Sequence, residues 1–122
     1  MDVPLAELLD RLVIVKLKME RVSGSEKEKE YEFYKKELEL YKKKGFKIND
    51  KWLEELYKVN GKIWDLESDI RKGKEELLGL EEVGRRAIAI RDLNKIRIRI
   101  KNEIVEETGS GFKDIKINHA SS

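Results

Sequence analysis

The chain is 122 residues long, 43% charged and 39% hydrophobic, and its 27 Lys and Arg against 25 Asp and Glu leave a formal net charge of +2. That length suits one domain rather than two. The absence of Cys excludes disulfides, thiol nucleophiles and thiolate metal sites, and the single His, His119, leaves little for a histidine metal centre, so no cofactor is expected.

Glu, Lys, Leu and Ile dominate, as in long amphipathic or coiled-coil helices. The apolar residues are periodic, which argues against disorder despite the charge. Asp2, Glu7 and Asp10 are wrong for a signal peptide, and no apolar run approaches membrane-spanning length. A cytoplasmic protein is expected.

The first predicted helix opens at Pro4, whose missing N–H costs nothing in a first turn. Leu5, Leu8, Leu12, Val15, Met19 and Val22 then recur at three- and four-residue steps. Ile14 and Leu17 lie off that seam, so this helix is apolar over most of its circumference and needs cover on several sides. Asp10, Lys18 and Arg21 share a face with Glu7 and Arg11 and read as ordinary surface ion pairing.

Ser23-Gly24-Ser25 ends the first helix, and Ser25 with Glu28 matches a capping box for the second. Tyr31, Tyr34, Leu38 and Tyr41 form its narrow stripe, and Gly45 stops it. Asn49 and Asp50 offer caps for a third helix over 52–78, with Trp52, Leu56, Val59, Ile63, Leu66, Ile70 and Leu77 as its apolar stripe. Gly61 and Gly73 fall on the opposite, solvent side. Gly79 and Leu80 mark a break.

The fourth segment, 83–105, is ambiguous because Ile96-Arg97-Ile98-Arg99-Ile100 alternates as a strand would. Ile90, Leu93, Ile96, Ile100 and Ile104 continue at helical steps, however, and no Gly or Pro interrupts Arg85 to Thr108. Helix is the reading adopted. The expected fold is all-α, an antiparallel four-helix bundle or elongated helical hairpins. Residues 1–108 form a single helical domain and 109–122 a short tail in which Phe112, Ile115 and Ile117 alternate in extended fashion. A helix of about 28 residues spans roughly 42 Å, which predicts an elongated shape and a homo-oligomer, dimer or tetramer, to cover the apolar flanks.

The helical projection puts polar side chains inside apolar arcs. Asn60, Glu67 and Arg71 fall within that of the third helix, and Asn94, Arg97 and Lys101 within that of the fourth. Charges in a packing face cost several kcal/mol unless partnered. One reading is an interhelical network, with Glu67 paired to Arg71, Arg97 or Lys101 and Asn60 to Asn94, fixing register between helices or subunits. The alternative is a site for a phosphorylated or carboxylated small molecule. Arg71, Arg97 and Lys101 against Glu67 leave two positive charges, and Trp64 and Tyr57 share a stripe on which a base or sugar could stack. The candidate ligand-binding residues are therefore Asn60, Trp64, Glu67, Arg71, Asn94, Arg97 and Lys101.

A Mg²⁺ site of the helical pyrophosphatase kind is disfavoured, because Glu54, Glu55 and Asp69 project away from Glu67 and one acid is too few. Between Arg85 and Lys101 seven basic residues face one acid, Asp92. That stretch holds no aromatic residue and presents only Arg91, Lys95 and Arg99 outward, which is thin for nucleic acid. No nucleophile–base pair or glycine phosphate loop indicates a reaction.

Three segments together carry a resemblance. Glu7-Leu8-Leu9-Asp10-Arg11 through Lys18-Met19-Glu20-Arg21-Val22 is one, and Val59-Asn60-Gly61-Lys62-Ile63-Trp64-Asp65-Leu66-Glu67-Ser68-Asp69-Ile70-Arg71 is the second. Asn94, Arg97, Ile100, Lys101, Glu103 and Ile104, followed by Gly109-Ser110, make the third. They resemble the first, third and last helices of a small all-helical bacterial and phage family of unknown function. Ser68 stands where that family usually has an acid, Arg91 where it has Tyr, and the tail lacks its Glu-Glu-Lys. The resemblance implies the helical fold and no particular activity.

Overall fold

The computed structural model describes residues 3–22, 24, 26–71 and 75–110, without the side chains of Arg71 and of residues 75–78. Helix α1 spans Leu5–Arg21, α2 Glu28–Lys43, α3 Asp50–Arg71 and α4 Glu75–Thr108. The described residues contain no strand, so the alternating Ile96–Ile100 run is helical. The expected tail, including Phe112, Ile115, Ile117 and His119, lies outside the described residues, as do Ser25 and Gly73.

Local chemistry explains the helix ends. Pro4 is the N-cap of α1 and has no side-chain acceptor to offer. The Ser110 hydroxyl supplies one from the far end of the chain, accepting the Leu5 N–H at 3.4 Å. Glu7 lies in the first turn of α1 and Lys18 and Arg21 in its last, matching the helix dipole. The N-cap of α2 is Lys27, with no side-chain hydrogen bond. Glu28 is thus the first helical residue and cannot occupy the third position that a capping box requires. Asn49 caps α3 as expected, its Oδ1 accepting the Lys51 N–H at 2.9 Å.

The third helix is shorter than its pattern suggested. It stops at Arg71, and residues 75–78 belong to α4, interrupted at Gly79 (φ 80°, ψ 157°). That backbone region is open essentially to Gly alone, so the predicted break falls at the residue that permits it.

Helix α1 is the hub. It packs against α2, α3 and α4, while α2 approaches α1 alone and α3 pairs with α4. The start of α1 meets the ends of α2 and α4, through the Tyr41 hydroxyl donating to the Val3 carbonyl (2.5 Å) and through Leu5 and Ser110. Its end meets the later part of α3, where Arg21 donates to the Gly61 carbonyl (3.3 Å) and pairs with Asp65. Leu5, Leu8, Leu9 and Leu12 of α1 bury against Leu38, against Trp52, Leu56, Val59 and Ile63, and against Ile100 and Ile104. The cover that α1 requires thus comes from its own chain, and α1 by itself calls for no second copy.

Burial is concentrated at one end of the molecule. From Trp64 to Ile70 and from Gly79 to Arg99, no residue is fully buried. This distal part of the α3–α4 hairpin forms an arm, tied across by Arg86 to Asp69 at 2.7 Å. The opposite end, where α1 sits between the other three helices, is the base.

Gly61 is buried, contrary to the solvent-facing position expected for it. A Cβ there would lie 3.3 Å from Arg21 Nη2 and 3.9 Å from Leu17 Cδ2. The nearer atom ends a flexible side chain, and Ala is favoured over Gly in a helix by about 1 kcal/mol. Gly61→Ala should therefore be neutral to about 1 kcal/mol stabilising. Gly61→Val, which extends toward Leu17, should destabilise by about 1–3 kcal/mol. Urea unfolding of the two variants checks this, and a Gly61→Val variant as stable as Gly61→Ala would show that the close approach of α1 is absent.

Candidate functional site

The polar cluster exists, but its centre is a residue that the helical projection had assigned to the surface. Asp10, in the middle of α1, is only 1% exposed. Arg97 of α4 grips it: Nε lies 3.0 and 3.1 Å from the two carboxylate oxygens, and Nη2 also donates to Oδ2. Asn60 of α3 donates from Nδ2 to Asp10 Oδ1 and to the Leu56 carbonyl, each at 2.9 Å. One carboxylate therefore joins three helices through a bidentate, charge-assisted clamp.

The pairings differ from those expected. Asn60 bonds to Asp10 and not to Asn94, while Asn94 Oδ1 accepts from Arg97 Nη1 at 3.4 Å. Lys101 pairs with Glu7 of α1. Glu67 makes no hydrogen bond or ion pair among the described residues, although its charge reaches Arg97. The pairing proposed for Arg71 lies outside the described residues. Of the other members of the expected surface group, Glu7 and Arg11 make the expected surface ion pair at 3.8 Å, while Arg21 turns to α3.

These pairings remove the positive excess on which an anion site was argued. Asp10 neutralises Arg97, and Glu7 neutralises Lys101. The hydrogen bond from Asp10 is the main influence raising the Arg97 pKa further above its ordinary value; burial opposes it, and the charges of Asp10, Glu7 and Glu67 add to it. Arg97 stays charged at any working pH.

Beside the clamp lies a cavity of about 290 Å³ lined by Ile14, Leu17, Asn60, Ile63, Trp64, Glu67, Asn94 and Arg97. Five of the seven candidate residues thus converge on one space, and Lys101 is excluded from it by its bond to Glu7. Tyr57 does not join Trp64 there. It lines a separate groove of about 310 Å³ with Leu12, Val13 and Tyr31, where Lys16 stacks on its ring at 5.2 Å. Its hydroxyl donates to Glu20, a bond that, with burial and the Glu20 charge, raises its pKa above the usual phenol value.

Glu54 and Glu55 are exposed, and Asp69 is held by Arg86. Among the described residues no group of three or more His, Cys, Asp or Glu is placed to hold a metal ion. No helix among them is long and apolar enough to cross a membrane. The basic run of α4 is interrupted by its own ion pairs, from Arg85 and Arg86 to Glu82 and from Arg91 to Asp92.

A signal for Asp10 was available. Ala6, Val13 and Leu17 lie four residues before it and three and seven after it, and all are buried. An acid inside so wide an apolar arc must be buried with them or unwind the helix.

Removing one partner of a buried pair strands the other's charge. Arg97→Met should lower stability by about 3 kcal/mol. The double variant Asp10→Leu/Arg97→Met should recover most of that loss, because it strands no charge. Thermal and urea unfolding of the single and double variants test the pair, and a near-neutral Arg97→Met would show that Asp10 is not buried.

No protein family model, curated protein or solved structure matches the chain.

Proposed function

We propose that the protein is a homo-oligomeric interaction protein whose assembly surface is the α3–α4 arm, held at a set angle by the Asp10 clamp. The observation that carries this reading is the lack of any fully buried residue among the described residues of the arm. Leu66, Ile70, Val83, Ile90, Leu93 and Ile98 are half-buried, while Ile88 is 52%, Ile96 37% and Leu80 90% exposed. Two helices alone cannot enclose stripes of that width, and apolar faces left open on such a scale mark association surfaces.

A second copy suits the arm on charge. Its α3 side carries the acids Asp65 and Asp69, and its α4 side the bases Lys95 and Arg99. Two-fold pairing that sets α3 of one arm against α4 of the other opposes these sets in a four-helix bundle. The commitment of Arg97 to Asp10 supports a register-fixing role for the polar cluster and weakens the alternative of a phosphorylated or carboxylated ligand. The relation to a small helical family of unknown function belongs to the same reading, since its three segments are those that meet at Asp10, Asn60 and Arg97. A cytoplasmic location accords with it.

Sedimentation equilibrium should return a dimeric or higher mass. Ile88→Glu, alone or with Ile96→Glu, should shift it to the monomer while helical circular dichroism is retained. A monomeric mass for the unaltered protein at every accessible concentration would overturn the reading.

A further inference from the structure

The cavity beside the clamp has a charge and hydrogen-bonding character that assembly leaves unused. We propose that it binds a small organic cation, an amine whose ammonium group meets the Glu67 carboxylate and whose carbon frame lies against Trp64 and the aliphatic wall. The inference goes beyond the assembly reading, since Ile14, Leu17, Asn60 and Ile63 of its wall belong to the base and not to the arm.

Charge is the first argument. Among the described residues of the cavity wall Arg97 is the one cation, and Asp10 cancels it from behind. Glu67 then leaves one negative charge, with no hydrogen bond or ion pair among the described residues to answer it. An anion entering here would meet that carboxylate and a guanidinium already engaged. A cation would meet a carboxylate with its acceptor sites open.

Hydrogen bonding is the second. Asn94 uses its Oδ1 on Arg97, and its amide N–H groups have no acceptor among the described residues. Asn60 uses its Nδ2 on Asp10 and Leu56, and its Oδ1 receives no donor among them. One free donor group and one free acceptor thus flank Glu67, a set suited to the hydroxyl groups of an amino alcohol or amino sugar.

Shape and chemistry of the wall are the third. Trp64 is the aromatic type that best attracts an ammonium group, and Ile14, Leu17 and Ile63 supply an apolar surface. At about 290 Å³ the space falls at the small end of ligand pockets. A metal ion is the poorer cation for it, because Glu67 is the only carboxylate among the described lining residues and hard metals take several oxygens.

The test is calorimetric titration of the full chain with glucosamine, glucose and glucose 6-phosphate, three related hexoses that differ in charge, together with putrescine and butylamine. Binding by at least one amine is expected, with no comparable binding by glucose or glucose 6-phosphate. Glu67→Gln should weaken it about tenfold or more, the scale of one charge-assisted bond, and Asn94→Ala should weaken it further for glucosamine than for butylamine. Glu54→Gln, on the exposed face of α3, should leave it unchanged. Repeating the titration on Ile88→Glu separates this site from assembly. No heat with any of the amines, equal binding by Glu67→Gln, or preference for glucose 6-phosphate would each overturn the proposal.

Discussion

A carboxylate at the centre of α1 constrains everything around it. Asp10 is removed from water, and an ionised carboxylate there is tolerable only while donors surround it. Those donors come from two other helices, Asn60 on α3 and Arg97 on α4. Sliding either helix by one turn, about 5.4 Å, would strand the charge, so the requirement selects one register out of the several that a leucine-rich interface would accept. Apolar packing supplies the bulk of the stability of the base, and the clamp supplies its uniqueness.

The division into base and arm follows from lengths. Helix α1 has 17 residues and α3 has 22, while α4 runs 34 with its break at Gly79. The shorter α1 serves as the common packing partner, so burial declines along the hairpin beyond its reach. Leu66, Ile70, Ile90 and Leu93 keep the apolar identity of a packing stripe there and are only half covered. Arg86 and Asp69 bind the two helices of the arm to each other without closing its flanks. The apolar seam of α1 from Leu5 to Val15 is covered within one chain and the stripes of the arm are not, which is why the proposed association is placed on the arm.

The cavity lies where these two regions join. Arg97 marks the edge of the clamp and contributes to the cavity wall, so a side chain that fixes the fold also borders the space. Its partner behind the wall sets the sign of the charge that a ligand would meet. Of the positive cluster counted from α3 and α4, Arg97 and Lys101 are answered once α1 is placed, and among the described residues Glu67 is left without a partner.

Much of this was legible in the order of residues. The helical periods from Leu5 to Ile104, the Gly79 break, the Asn49 cap and the intrusion of Asn60, Glu67, Asn94 and Arg97 into apolar arcs are local properties, governed by 3.6-residue spacing and side-chain chemistry. The partners of those intruders are not local. Asp10 stands 87 positions from Arg97 and 50 from Asn60, and Gly61 looks solvent-facing until α1 presses on it. A helical projection shows which face of a helix must be covered but not which helix covers it. The sequence by itself determined the helices and the polar positions that need partners. Only the tertiary structure decided that α1 fills the centre, that Asp10 and Glu7 are the partners, and that the arm is left open, because those outcomes depend on contacts between residues far apart in the chain.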